Sequence, residues 1–301
     1  MKKTQYEVII IGGSFAGLSA AMALGRSVRR VLVIDNADPC NKKAPHSHNF
    51  LTNDGAAPAD ITLAARRELA AYKTVKMMTD TVENVVQIDE GFKVTTTKAQ
   101  TFTTQKVLIA TGLKDIMPKI PGFAGCWGTS IIHCPYCHGY EVYQEKLAVF
   151  GNGDEGFEFA KLINNWSRNV TLFTNGVSTL NPGQEQKLKE HGINIIQTKI
   201  NAIDCVNNQV QAIKLKDGTE YAIQAIFARV PFKQHTDIPQ QLGCALTEQG
   251  HIQTDNFCAT TIPGVYAAGD NSSPLRGVAN AVANGMMAGV FINKALIEEQ
   301  F

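Results

Sequence analysis

The fold is decided by the stretch VIIIGGSFAG at residues 8–17. An apolar run that ends in a glycine-rich turn is typical of a buried strand, and the small residues at positions 18–25 predict a helix after the turn. A second apolar run at residues 31–34 ends at Asp35. Strand, turn, helix and strand in this order predict a β–α–β unit with two parallel strands.

The glycine-rich turn predicts a dinucleotide site. Gly12 and Gly17 occupy the first and third glycine positions of the pattern G-x-G-x-x-G, and Ser14 stands at the second. Serine is small enough to let a pyrophosphate approach, and its hydroxyl can bond a phosphate oxygen. Asp35 follows Gly12 by 23 residues, where an acidic side chain can hold ribose hydroxyls. We therefore expect a bound dinucleotide here, not a purely structural turn.

A second unit of the same kind lies in the middle of the chain. An apolar run at residues 147–150 precedes the turn GNGDEG at 151–156, which matches all three glycines, and a helix at 157–166 follows. The next strand, residues 170–173, ends without an acid for a ribose or an arginine for a 2′-phosphate. We expect a nicotinamide-type fold whose ability to bind a nicotinamide is open. Its candidate ligands are Gly151, Asn152, Gly153, Asp154 and Gly156.

The motif HCPYCHG at residues 133–139 carries the candidate chemistry. Two cysteines three positions apart at a helix start can close a disulfide, and the helix dipole with a nearby imidazolium stabilises the attacking thiolate. Three other interpretations compete. The first is haem attachment through Cys-x-x-Cys-His, which requires export. The second is a zinc site that also uses Cys126, but a structural zinc site usually has a second pair of cysteines, which this sequence lacks. The third is a reduced pair in the core, which does not explain why the cysteines lie just before a nucleotide turn. We therefore expect a redox pair and no metal.

Composition excludes several function classes. The 301 residues are 44% hydrophobic and 18% charged, and the net charge of +1 gives no footprint for nucleic acid or an anionic membrane. The start Met1-Lys2-Lys3 resembles a signal peptide, but Glu7 interrupts the apolar run that follows. The other five of the seven cysteines show no framework. We expect a cytoplasmic enzyme that acts on a small molecule or a small protein.

The order of the motifs resembles that of the low-molecular-weight thioredoxin reductases across nearly the whole chain. It runs from the first glycine turn through ATG at 110–112, the cysteine pair and the second glycine turn to TIPGVYAAGD at 261–270. The resemblance implies an α/β fold of two Rossmann-like three-layer domains, with the second inserted into the first. The implied FAD domain comprises residues 1–115 and 246–301, and the implied NAD(P)-type domain comprises residues 116–245. The resemblance also implies a homodimer.

The resemblance extends to individual residues. It implies that Cys137 faces the flavin and Cys134 attacks the substrate, and that Asp270 bonds the ribityl chain, with the positive end of the final helix aimed at the flavin. The full set of FAD ligands implied in this way is Gly12, Ser14, Phe15, Ala16, Gly17, Asp35, Asn36, His48, Ala110, Thr111, Gly112, Gly269, Asp270, Val278 and Ala279.

Two departures from the reductases leave the electron donor and acceptor open. His138 stands where the reductases carry an acid, and the loop PHSHNF at 45–50 resembles the subgroup that includes the gliotoxin and holomycin dithiol oxidases. We expect His138 to be the acid–base residue, with His133 as the alternative, since an imidazole titrates near neutral pH. Four functions fit: reduction of a thioredoxin-like protein or small disulfide by NADPH or NADH, oxidation of a small dithiol by oxygen, reduction by ferredoxin or another carrier, and a non-catalytic redox sensor.

Overall fold

The computed structural model describes residues 5–301 and divides into two compact units. The first unit comprises the chain through Lys42, Asn49–Lys114 and Phe232–Phe301, and the inserted unit comprises Lys43–His48 and Asp115–Pro231. The predicted α/β class with parallel sheets is confirmed. The basic start Met1-Lys2-Lys3 lies outside the described residues.

A seven-stranded sheet forms the centre of the first unit. Apolar side chains fill both faces of its parallel strands, as expected for a sheet covered on both sides. Antiparallel pairing occurs near one edge. In spatial order the strands are Val75–Thr79, Val31–Asp35, Tyr6–Ile11, Thr101–Ile109, Gly91–Thr96 and Val82–Ile88, and Val265–Ala267 also pairs with Thr101–Ile109.

The two ends of the chain share one core in this unit. The first helix, Phe15–Arg26, packs along the last helix, Val278–Gln300, and Pro58–Leu69 packs on the first. A Cβ at Gly285 would stand 2.1 Å from the carbonyl oxygen of Ala16, so only glycine allows this approach. Among residues 5–301, no helix is long and apolar enough to cross a membrane.

The return from the inserted unit comes earlier than the resemblance implies. The structure assigns Phe232 onward to the first unit, whereas the implied boundary is residue 246. The physical reason is burial, because Ile238 and Cys244 lie in one apolar cluster with Ile9. A short helix, Ile238–Gln241, belongs to this segment. A two-stranded sheet pairs Leu113–Asp115 with Phe232–Gln234.

The inserted unit contains the predicted second β–α–β arrangement. Its helix begins at Gly153, inside the glycine turn, and not at residue 157 as the sequence predicts. A parallel five-stranded sheet has the order Asn194–Ile196, Val170–Phe173, Leu147–Phe150, Ala225–Ala228, Ile131–Ile132, and an antiparallel sheet joins Ile200–Val206, Gln209–Leu215 and Glu220–Ala222. The helical segments are Phe123–Cys126, Pro135–His138, Tyr140–Val142, Gly153–Ile163 and Pro182–Glu190.

A second disulfide corrects the view that the remaining cysteines are scattered. Cys126 and Cys205 are bonded to each other, with Cα atoms 6.3 Å apart, and Cys126 is completely buried. The bond joins the helix Phe123–Cys126 to the strand Ile200–Val206. Because 79 residues separate the two sulfurs, no local pattern signals the pairing. The bond also removes Cys126 from the zinc interpretation.

We expect the double variant Cys126→Ala/Cys205→Ala to be less stable in the inserted unit by about 2–4 kcal/mol, because the crosslink no longer restricts the unfolded chain. Both tryptophans, Trp127 and Trp166, lie in this unit, so tryptophan fluorescence during urea unfolding reports on it selectively. Cys40→Ser, in the first unit, is the matched control. An unchanged urea midpoint in the double variant would contradict a stabilising role.

We also expect iodoacetamide to modify Cys40 in the folded protein at neutral pH while Cys244 and Cys258 stay unmodified. Cys40 is exposed, and burial raises the pKa of the Cys244 thiol and raises that of Cys258 to about 11. Only the thiolate reacts, so a raised pKa suppresses alkylation. Mass spectrometry before and after unfolding measures this. Modification of Cys258 at the same rate as Cys40 would contradict the burial described here.

Candidate functional site

The predicted dinucleotide site lies at the carboxyl ends of adjacent parallel strands. Ile109 is in register with Ile11 on one side and with Ala267 on the other. The first glycine turn, the segment at 110–112 and Asp270 therefore follow neighbouring strands at the same edge of the sheet. This edge is where open α/β sheets bind their ligands.

The first glycine turn requires glycine and offers hydrogen-bond donors to an anion. Gly12 has a φ of +106°, and a Cβ there would stand 2.3 Å from the carbonyl oxygen of Ala110. Ser14 begins the helix Phe15–Arg26, yet its hydroxyl makes no capping hydrogen bond. The hydroxyl and the backbone N–H groups of the first helical turn can therefore both bond an anion, and the helix dipole favours one there.

Asp35 is oriented by two donors. Its Oδ1 accepts a hydrogen bond from the Gly13 N–H at 3.0 Å, and its Oδ2 accepts one from Arg66 Nη2 at 2.5 Å. Sequence reasoning missed Arg66, because nothing in the helix Pro58–Leu69 marks one arginine as facing the site. A carboxylate has lone pairs for about four hydrogen bonds, so Asp35 retains acceptor capacity for ribose hydroxyls.

The other side of this edge carries buried polar atoms. Asp270 pairs with Arg276, with 3.5 Å between Oδ2 and Nε. Within the described part of the chain, Thr111 Oγ1 and Asn271 Oδ1 are buried without a hydrogen-bond partner, a condition that a polar ligand or water would relieve. Val278 begins the last helix just beyond them. Turn, acid and unsatisfied polar atoms together fit the phosphates and hydroxyls of FAD.

The remaining predicted FAD residues occupy the same edge with one exception. His48 belongs to the inserted unit, where its Nε2 lies 3.3 Å from Glu141 Oε1, so a flavin contact for His48 stays a prediction. By sequence position, Phe15 and Ala16 open the first helix, Asn36 follows Asp35, Gly112 follows Thr111, Gly269 precedes Asp270, and Ala279 follows Val278.

The cysteine pair stands at a helix start, as predicted. Cys134 and Cys137 are joined in a disulfide, with Cα atoms 5.3 Å apart, and Cys134 is the N-cap of the helix Pro135–His138. The Cys137 N–H donates to Cys134 Sγ at 3.2 Å. A backbone donor aimed at sulfur stabilises the negative charge of a thiolate, so the local geometry supports thiol–disulfide exchange.

The two candidate acid–base imidazoles have different surroundings. Burial lowers the pKa of His138, the Glu141 carboxylate opposes that shift, and His48 and His46 lower the pKa further. His138 is therefore expected to be neutral at neutral pH and able to accept a proton. His133 stacks on Trp127, with ring centroids 6.2 Å apart.

The side chain of Asn152 joins the second glycine turn to the segment at 177–179. Asn152 Oδ1 accepts hydrogen bonds from the N–H groups of Gly153 at 2.8 Å and Thr179 at 2.9 Å, and its Nδ2 donates to the Val177 carbonyl at 2.9 Å. A Cβ at Gly153 would stand 2.8 Å from Thr179 Oγ1. The segment at 177–179 thus lies against the turn where a pyrophosphate would bind.

Neighbouring polar groups of this turn are also used internally. Asp154 Oδ1 accepts a hydrogen bond from Gln184 Nε2 at 2.7 Å. Asn175, which follows the second strand where a ribose or 2′-phosphate ligand would stand, accepts one from the Ile200 N–H at 2.8 Å. The nicotinamide-type fold is present, but the side chains of Asn152, Asp154 and Asn175 form hydrogen bonds within the inserted unit.

Comparisons with known proteins agree with this architecture. The family model described as pyridine nucleotide-disulphide oxidoreductase matches residues 6–288. The chain is 31% identical to thioredoxin reductase sirT of Leptosphaeria maculans over 96% of this chain and 93% of that protein. It is 30% identical to thioredoxin reductase aclD of Aspergillus oryzae over 95% and 94%. A crystal structure of an oxidoreductase from Agrobacterium tumefaciens superposes with a TM-score of 0.92 at 34% identity, over 97% of this chain and 99% of the other. The chain belongs to the pyridine nucleotide-disulphide oxidoreductase family.

Proposed function

We propose that this protein oxidises a dithiol through Cys134–Cys137 and FAD, passes the electrons to oxygen, and uses no NAD(P)H. Membership in the family makes the chain an FAD-dependent disulfide oxidoreductase. The second glycine turn supports the absence of a nicotinamide, because the Asn152 side chain already accepts from the Gly153 N–H and the segment at 177–179 packs against the turn. In this proposal the dithiol itself, and not a pyridine nucleotide, ferredoxin or another carrier, is the source of electrons.

The cysteine pair performs the exchange in this proposal. A substrate thiolate attacks Cys134 Sγ, the bond to Cys137 breaks, and the second substrate thiolate displaces Cys134 to close the substrate disulfide. The roles of the two sulfurs follow the family pattern. His138 takes a thiol proton, for which a neutral imidazole is required. FAD, when bound, accepts the two electrons from the reduced pair.

The substrate class follows from the same chemistry. Relatives carry the name thioredoxin reductase, which supports a disulfide or dithiol partner for this chain. We propose a small-molecule dithiol in preference to a thioredoxin-like protein, since the nicotinamide needed for reducing a protein disulfide has no open turn to bind. The proposal also includes a homodimer, as the family resemblance implies, and a cytoplasmic location, as expected from the sequence.

We expect dithiothreitol to bleach the flavin absorbance under anaerobic conditions within seconds, whereas NADPH or NADH leaves it unchanged over minutes. The physical reason is that a dithiol exchanges with the disulfide Cys134–Cys137, whereas Thr179 packs against the second glycine turn where a nucleotide would bind. Stopped-flow absorbance measures both reactions on one preparation. Fast bleaching by NADPH would contradict the proposal and mean that the segment at 177–179 opens.

We expect Cys134→Ser and Cys137→Ser each to lower dithiol turnover by more than about a thousandfold, since neither variant can form the internal disulfide. The flavin content should stay at the wild-type level, because both residues lie in the inserted unit. Cys40→Ser is the matched control and should turn over normally. Full activity of Cys137→Ser would rule out this route for the electrons.

A further inference from the structure

A short segment from the N-terminal part of the chain belongs to the thiol-bearing unit. Lys43–His48 is assigned to the inserted unit, although the residues on both sides of it belong to the first unit. Lys43 Nζ donates to the Ala124 carbonyl at 2.9 Å, and Ser47 is buried. The loop is therefore fixed on the unit that carries Cys134–Cys137.

This loop places two imidazoles beside His138. The rings of His48 and His138 meet edge-on, with centroids 6.1 Å apart and planes at 88°, and His46 lies 6.3 Å from His48. Glu141 Oε1 lies 3.3 Å from His48 Nε2. His138 directly follows Cys137, so this row of three imidazoles and one carboxylate ends at the redox pair.

Thiol–disulfide exchange changes the charge of the base that carries the thiol proton, so charged groups beside that base affect the reaction. Each dithiol oxidised breaks one disulfide, forms another and moves two protons from the substrate thiols to the reduced cysteine pair, and a base that carries a thiol proton in transit becomes an imidazolium. A second imidazolium nearby disfavours that cation, whereas a carboxylate favours it. The charged and titratable groups acting on His138 are Glu141, His48 and His46.

We propose that His48, held by Glu141, is a positioning residue that acts through His138 to control proton transfer during exchange at Cys134–Cys137. The inference rests on the proposed function. Glu141 holds the ring of His48 against His138 and neutralises positive charge there. His48 in turn keeps the carboxylate of Glu141 engaged.

The sign of each effect gives a test. His138 acts as a base, so the rate of flavin reduction by dithiothreitol rises as the pH passes through the pKa of His138. Glu141→Gln removes the charge that raises this pKa, so the acid limb of the pH–rate profile moves to lower pH. His48→Asn removes a ring that lowers the pKa of His138 and frees the Glu141 carboxylate, so the acid limb moves to higher pH. We expect shifts of about half a unit to one unit in each direction.

The experiment is anaerobic stopped-flow reduction of the flavin by limiting dithiothreitol from pH 5 to pH 8, an interval of about 1.5 units on each side of the ordinary histidine pKa. Glu141→Asp keeps the carboxylate, so the acid limb of its pH–rate profile should lie closer to that of the wild type than the limb of Glu141→Gln does. His191→Asn is the matched control, since His191 is an exposed imidazole bonded to the Lys187 carbonyl in the same unit. Its profile should coincide with wild type.

Opposite shifts of the two variants support the inference, because a loss of folding alone would lower the rate without moving the limb in two directions. Coincident limbs, or limbs displaced in the same direction, would overturn it. Failure of the proposed function is a separate result, since in that case dithiothreitol would not bleach the wild-type flavin at any pH.

Discussion

The parallel register of Tyr6–Ile11, Thr101–Ile109 and Val265–Ala267 is the constraint on which the first unit depends. These strands come from the beginning, the middle and the end of that unit's sequence, and their register sets their carboxyl ends side by side. The glycine turn, the buried Thr111 hydroxyl and Asp270 then form one edge. The close approach of Gly285 to Ala16 packs the last helix against the start of the first, the helix that follows the glycine turn.

The inserted unit repeats the same architecture for a different purpose. Its glycine turn has the geometry of a nucleotide site, yet the Asn152 side chain bonds the Gly153 N–H and ties the segment at 177–179 to the turn. The reactive groups of this unit are the disulfide at the start of Pro135–His138 and the imidazoles near it. A nucleotide-binding scaffold thus serves here as the carrier of a redox pair.

Local patterns in the sequence predicted most of the fold. Apolar runs before glycine turns identified both β–α–β units, and the spacing of Cys134 and Cys137 identified the redox pair. Contacts between distant residues left no such pattern. The Cys126–Cys205 bond spans 79 residues, and the ion pair of Asp35 with Arg66 depends on how a helix packs.

The surroundings of the Cys134–Cys137 pair also depend on contacts that sequence patterns do not predict. His138 stands out in the sequence because it follows a cysteine directly, whereas the approach of His48 to Glu141 depends on the loop Lys43–His48, which belongs to the inserted unit. The early return of the chain at Phe232 was missed for a related reason, since the burial of Ile238 and Cys244 depends on strands more than a hundred residues away.

The central claim is that a dithiol alone supplies the electrons that reach oxygen. Its most direct test measures hydrogen peroxide formed and dithiol consumed by the aerobic holoenzyme with no nucleotide present. The account predicts equal molar amounts of peroxide and of substrate disulfide, continuing until the dithiol is exhausted. Peroxide formation that begins only when NADPH is added would contradict it.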